Sequence, residues 1–149
     1  MPNSMRLRRA EAGDANFVWK LYAETTKPLL EPKLKHGWKE EEEKRRFETW
    51  WDYNNTMIAM LDDKPIGWIS FQEKIEHVDL EHVCIAPRLQ SQGYGKQMLN
   101  QLLDSWRDKV KSIETSVLNE SPYRKMFENL GFTEIRQEQI TIRMRRTHS

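Results

Sequence analysis

The stretch Val83-Cys84-Ile85-Ala86-Pro87-Arg88-Leu89-Gln90-Ser91-Gln92-Gly93-Tyr94-Gly95-Lys96 ends a strand, turns at Pro87 and puts two glycines at the mouth of a helix. Glycine lets a backbone turn tightly and approach a ligand with no Cβ in the way. The amides of a helix's first turn lack intrahelical acceptors and carry about half a positive charge, so such a turn suits a phosphate. Spacing narrows the choice. A Walker loop ends Gly-Lys-Ser/Thr, but Gln97 follows Lys96; a dinucleotide fingerprint needs a third glycine where Met98 stands. Just upstream, alternation puts Asp79, Glu81, Val83 and Ile85 on one strand face and His82 and Cys84 on the other. Two carboxylates beside an anion site could accept a proton and hold a cationic substrate. His77 and His82 fall on opposite faces, and with no other ligand spacing in view, no metal is expected.

Several elements must position these groups. Residues 5–10 predict a short first strand, and Gly13-Asp14 a turn and N-cap before a helix with Phe17, Val18, Leu21 and Tyr22 at helical spacing. Pro28, Pro32 and Gly37 mark 25–37 as a loop. Next comes a charged helix in which Glu40 and Lys44, Glu41 and Arg45, and Glu42 and Arg46 stand at i,i+4, each pair adding about a few tenths of a kcal/mol. Residues 56–61 and 66–71 flank Asp62-Asp63-Lys64-Pro65 as a hairpin, and 75–85 form a third strand of this group. After Gly95, Met98, Leu99, Leu102, Leu103 and Trp106 line one helical face. Residues 112–118 read as a strand and 122–130 as a helix capped by Gly131. From Phe132 a final strand follows, with Ile140, Ile142 and Met144 alternating with Thr141, Arg143 and Arg145. The order is β-α-α-β-β-β-α-β-α-β, a mixed α/β domain over 1–149.

The 149 residues suit one domain, and 38% hydrophobic residues with six tryptophans supply a core. Lys and Arg total 24 against 23 acids, a net +1 that disfavours a nucleic-acid binder despite Arg143, Arg145 and Arg146. The single cysteine, Cys84, rules out an intramolecular disulfide. No apolar run approaches the roughly 20 residues needed to cross a bilayer and no signal-peptide core opens the chain, so a soluble cytoplasmic protein, without a membrane partner, is expected.

The pattern Gln90-x-x-Gly93-x-Gly95 resembles the pyrophosphate loop of the GNAT superfamily of acyl-CoA-dependent N-acetyltransferases. The element order matches that superfamily, Met-Phe-Glu-Asn-Leu-Gly-Phe at 126–132 resembles its Leu-Tyr-Glu-x-Leu-Gly-Phe helix end, and residues 5–14 resemble its first strand and Asp-led helix. The resemblance implies a mostly antiparallel sheet flanked by helices, with a V-shaped opening between the fourth and fifth strands. Acetyl-CoA would lie there as cosubstrate. Its pantetheine would pair with the backbone of Val83, Cys84 and Ile85. Its pyrophosphate would sit on the amides of Ser91, Gln92, Gly93, Tyr94, Gly95 and Lys96, flanked by Gln90 and Lys96.

The implied reaction is direct acetyl transfer to a primary amine, here of a small molecule, with a protein amine or a silent acyl-CoA-binding domain as alternatives. An alkyl amine is neutral about once in 2,500 molecules at pH 7, a handicap of roughly 4–5 kcal/mol that a base relieves. Asp79 matches the base position of the histone-acetylating branch and Glu81 an acidic position of small-molecule branches; the choice between them stays open. The family's acid, a tyrosine, is Phe127 here, and Tyr123 one turn earlier is the substitute on the same helix face. Trp38, Trp50 and Trp51 fall where the superfamily caps its acceptor side, as pocket walls or as core. The superfamily's habit of dimerising admits a homodimer.

Overall fold

A computed structural model describes residues 5–90 and 92–147. They form seven strands, β1 (Met5–Arg9), β2 (Thr56–Leu61), β3 (Lys64–Glu73), β4 (His77–Ile85), β5 (Ser112–Leu118), β6 (Thr133–Gln137) and β7 (Thr141–Thr147). Four α-helices accompany them: α1 (Ala15–Leu30), α2 (Glu40–Trp50), α3 (Tyr94–Trp106) and α4 (Tyr123–Asn129). One sheet runs in the order β1-β2-β3-β4-β5-β7-β6. Every neighbouring pair is antiparallel except β4 and β5, which are parallel and joined through α3.

Both sheet faces are apolar, for different partners. Val78, Leu80, Ile113, Val117, Ile142 and Met144 meet α3 and α4 in one core, which takes in all five α3 residues expected from the sequence and Phe127. On the other face, Val18, Trp19 and Leu21 of α1 and Phe47 of α2 pack on Ile58, Met60, Trp68 and Cys84. That second core takes no buried residue from β5, β6 or β7. The sheet face there carries Glu114, Arg143 and Arg145 instead.

Four expectations are corrected. Residues 25–37 are not all loop: α1 continues through Pro28 to Leu30, followed by a 3-10 turn over Glu31–Lys33. Pro28 falls in the helix's last turn, where it forgoes the bond to the Glu24 carbonyl and crowds that group, yet Leu29 and Leu30 beyond it stay helical. Asp14 does not cap α1 through its side chain; its carboxylate takes two hydrogen bonds from the Arg8 guanidinium, at 2.8 and 2.9 Å, and one from the Glu11 amide. In α2 the ion pair formed is Glu43 with Arg46, at i,i+3, and Glu43 is buried. The segment from Phe132 is a hairpin rather than one strand, and Ile140 lies in its turn, 37% exposed. Ile142 and Met144 keep the buried alternation expected of them.

Gly67 of β3 lies across from Ile85 of β4. A Cβ there would stand 2.5 Å from the Cys84 carbonyl oxygen and 2.6 Å from Ile85 Cδ1. Gly67→Ala is therefore expected to destabilise the fold by about 1–3 kcal/mol, read as a lower urea midpoint with an unchanged m-value.

Candidate active site between two splayed strands

Two local events in β4 build the site. Ser70 pairs with His82 and Phe71 with Leu80, so Glu81 is an extra residue, a bulge in the ladder with β3. The bulge reverses the facing downstream. Val78 and Leu80 share a core with Val83 and Ile85, whereas Cys84 enters the opposite core and the His82 ring packs among that core's aromatics. Asp79, Glu81, Val83 and Ile85 therefore do not share one face, as simple alternation predicts. Second, the parallel ladder of β4 with β5 ends at Leu80 opposite Thr115. Beyond it, Glu81–Ile85 and Ser116–Leu118 diverge.

A cavity of about 300 Å³ occupies the gap, lined by Glu81 to Cys84, Thr115 to Leu118, Tyr123 and Phe127, and roofed by α1 through Thr25, Leu29 and Leu30. A second cavity of about 260 Å³ lies beside it, lined by Ile85, Gln90, Gly93, Gly95, Lys96, Tyr123 and Met126. Tyr123 belongs to both walls.

The tyrosine is held on the open edge of β4. Its hydroxyl accepts from the Ile85 amide at 2.9 Å and from Gln90 Nε2 at 3.3 Å, and Gln90 also donates to the Ile85 carbonyl at 3.0 Å. Two accepted bonds leave the phenolic proton free to donate elsewhere. Burial raises the hydroxyl's pKa well above the usual tyrosine range, so it stays neutral. The period of a strand turns Val83's N–H and C=O toward the same gap as those of Ile85, and Cys84's toward β3. Of the expected pantetheine contacts, Ile85 is thus already engaged by Tyr123 and Gln90, and Val83 presents the open amide. Gln90 braces this groove.

The glycine loop is built as its sequence implies. Gly93 has φ +88°, in the left-handed region, and α3 makes its first bond from the Gln97 amide to the Gly93 carbonyl, at 3.0 Å. A Cβ on Gly95 would lie 2.9 Å from Met126 Sδ, so this glycine lets α3 start against α4. Lys96 is exposed beside the second cavity, Tyr94 packs on the core, and Gln92 donates to the Arg88 carbonyl. Ser91 lies outside the described residues.

The two candidate bases separate. Glu81, exposed at the bulge, lines the first cavity and accepts from Gln72 Nε2 at 3.3 Å. Asp79 stands on the paired half of β4, outside both cavity walls, and accepts from His77 Nε2 at 2.8 Å and Arg143 Nη2 at 2.6 Å, with Lys74 at 3.2 Å. Although partial burial opposes it, hydrogen bonding from His77, Lys74 and Arg143 lowers its pKa, and Arg145 and Arg143 do the same for Glu114. His77, Asp79 and Glu114 approach as metal ligands would, within 4.8 Å, a grouping that only strand pairing creates. Arginines already pair with both carboxylates.

The remaining candidates are packing groups. Cys84 is buried, its thiol pushed up to about 12 by burial, with Thr25 Oγ1 donating to it at 3.5 Å. Trp38 is buried and donates to Glu40, Trp51 stacks on Phe47, and Trp50 stacks on His82 at 4.2 Å. The His82 ring also meets Tyr22 edge-on and shares a hydrogen bond with Ser70 Oγ.

The family model described as the acetyltransferase (GNAT) family matches residues 18–132, which hold the splayed strands, the glycine loop and α4. The chain belongs to the GNAT acetyltransferase family. Solved structures agree in fold. PH1933 from Pyrococcus horikoshii superposes with a TM-score of 0.78 at 16% identity, covering 98% of this chain and 99% of that one. The paia N-acetyltransferase of Thermoplasma acidophilum, in complex with coenzyme A, gives 0.78 at 14%, covering 97% and 99%. The ribosomal-protein-S18-alanine N-acetyltransferase of Escherichia coli gives 0.72 at 17%, covering 98% and 95%. No curated protein matches the chain in sequence. Among the described residues, no helix is long and apolar enough to cross a membrane.

Burial pushes His82 down to about 4, below its usual 6.5. The unfolded chain thus binds a proton between those values that the folded one refuses. Stability is full above pH 6.5 and falls as pH drops toward 4, by on the order of 3 kcal/mol. His82→Phe, which keeps a ring against Trp50, is expected to remove that slope from urea midpoints measured between pH 7 and 4.5.

Proposed function

We propose that this GNAT protein transfers an acetyl group from acetyl-CoA directly to a primary amine of a small molecule. The observation that carries the reading is a pair of cavities on either side of Tyr123. One meets the glycine loop and Lys96; the other meets the carboxylate of Glu81. The thiol carrier belongs in the glycine-loop cavity, its diphosphate on the amides that begin α3 and its pantetheine reaching past Tyr123 to the edge of the other cavity at Val83. Coenzyme A in the Thermoplasma neighbour supports that use of the fold. The acceptor belongs in the cavity at Glu81.

Glu81 takes the proton of the incoming ammonium, directly or through one water, and the freed amine nitrogen bonds to the acyl carbon. The Val83 amide donates to the oxygen on which negative charge develops. As the carbon–sulfur bond breaks, the Tyr123 hydroxyl hydrogen-bonds to the departing thiolate, and the second proton that the nitrogen sheds on becoming an amide goes to that thiolate or to water. A thiol leaving as its anion faces a handicap of only about 2 kcal/mol at pH 7, so donation suffices where a strong acid would not be needed. Gln90 and the Ile85 amide hold the hydroxyl in place. A cytoplasmic setting suits the lone reduced thiol of Cys84.

Phe127, buried where the family's tyrosine is expected, favours a second reading in which the domain binds acyl-CoA without turnover. Release of free thiol from acetyl-CoA across an amine panel separates the two. Under the transferase reading, Glu81→Gln lowers kcat/KM by about 100-fold or more and removes its alkaline-rising limb. Asp79→Asn leaves that limb in place. Tyr123→Phe lowers kcat by about 10- to 100-fold with little change in KM. Tight CoA binding with no amine turned over would leave the domain a binder.

A further inference from the structure

Resting on the acetyltransferase reading, we infer that the acceptor is a small primary amine with an apolar body and no carboxylate or phosphate group. The charge inventory of the acceptor cavity carries this. Glu81 is the one lining residue that is charged at neutral pH, and it is an anion. His82, also in the wall, is neutral, stacked on Trp50 and bonded to Ser70. The rest of the wall is apolar, as at Leu29, Leu30, Val117 and Phe127, or hydroxylic, as at Thr26 and Ser121.

A cation that reaches the cavity wall is already paired. Arg143 donates to Ser116 Oγ in the wall, but also to Asp79 at 2.6 Å and Glu114 at 2.9 Å. An acceptor carboxylate would therefore meet no free cation in the wall and would stand beside Glu81, a like charge that repels it. An ammonium approaching Glu81 has its charge matched at once.

Size points the same way. The volume of about 300 Å³ is at the lower end of small-ligand pockets. The continuation of α1 to Leu30, with the turn over Glu31–Lys33 tied to the segment before α4 by Lys33 and Glu120, restricts the space over the wall.

The test uses the full chain with acetyl-CoA and matched acceptors: 2-phenylethylamine, L-phenylalaninamide and L-phenylalanine, with hexylamine and 6-aminohexanoate as an aliphatic pair and a tetrapeptide with a free N-terminus. Each amine is expected to exceed its carboxylated partner by roughly 100-fold or more in kcat/KM, with the carboxamide close to the amine. Equal use of amine and acid overturns the inference. So does a carboxamide as poor as the acid, which would make size and not charge the cause, or a peptide that outperforms the amines. Calorimetric binding of the same compounds in the presence of CoA ranks them independently of chemistry. If amines bind, acids do not and nothing turns over, the transferase reading fails while the ligand class stands; if no amine binds more tightly than its acid, the ligand class fails.

Discussion

The site exists because one parallel ladder stops halfway. β4 and β5 pair from His77 and Ser112 as far as Leu80 and Thr115, then separate. Two adjoining strands of a sheet normally satisfy each other's amides and carbonyls, and an unpaired buried edge is costly. Here the edge is met by an inserted aromatic hydroxyl and a folded-back amide, Tyr123 and Gln90, both on Ile85. The opening is thus a built feature, with the backbone polar groups of Val83 left facing the gap.

What holds the closed half together explains why the split stays where it is. Asp79 and Glu114 lie opposite each other in the last stretch of paired strand, and Arg143 from β7 reaches both. Like charges side by side would push β4 and β5 apart; the guanidinium, with Arg145, His77 and Lys74, turns that repulsion into a clamp. Just past the clamp, the bulge at Glu81 swaps the faces, so that a carboxylate reaches the cavity while Cys84 and His82 are turned into the aromatic core under α1 and α2. A histidine ring in that core stays neutral because nothing there repays its charge. The residue types that look reactive along β4 are thus divided, by one extra residue, between a solvent-facing role and a packing role.

Family membership comes from a match over residues 18–132, and α4 within that span divides two aromatic residues between core and cleft. Phe127 joins the core, touching Phe132 at a ring separation of 5.1 Å, while Tyr123 one turn earlier takes the place between the cavities.

Much of this was legible in the sequence. Helical spacing identified the buried face of α3, the glycines at 93 and 95 marked the loop that begins it, and the motif with the element order pointed to the family. These are local signals, carried by period and by backbone freedom. Other features were not legible, for physical reasons. Pro28 reads as a break, because it loses one amide bond and crowds the carbonyl a turn before it, yet packing of Leu29 and Leu30 at the cavity accompanies an α1 that runs on to Leu30. The alternation along β4 could not reveal that Glu81 is the extra residue, because a bulge is fixed by the partner strand's register. The arginine clamp and the meeting of Tyr123 with Ile85 join residues 29 to 64 positions apart. The sequence by itself determined the fold class and the glycine turn that begins α3; tertiary pairing alone decided which carboxylate faces the cleft, because that depends on where two strands cease to touch.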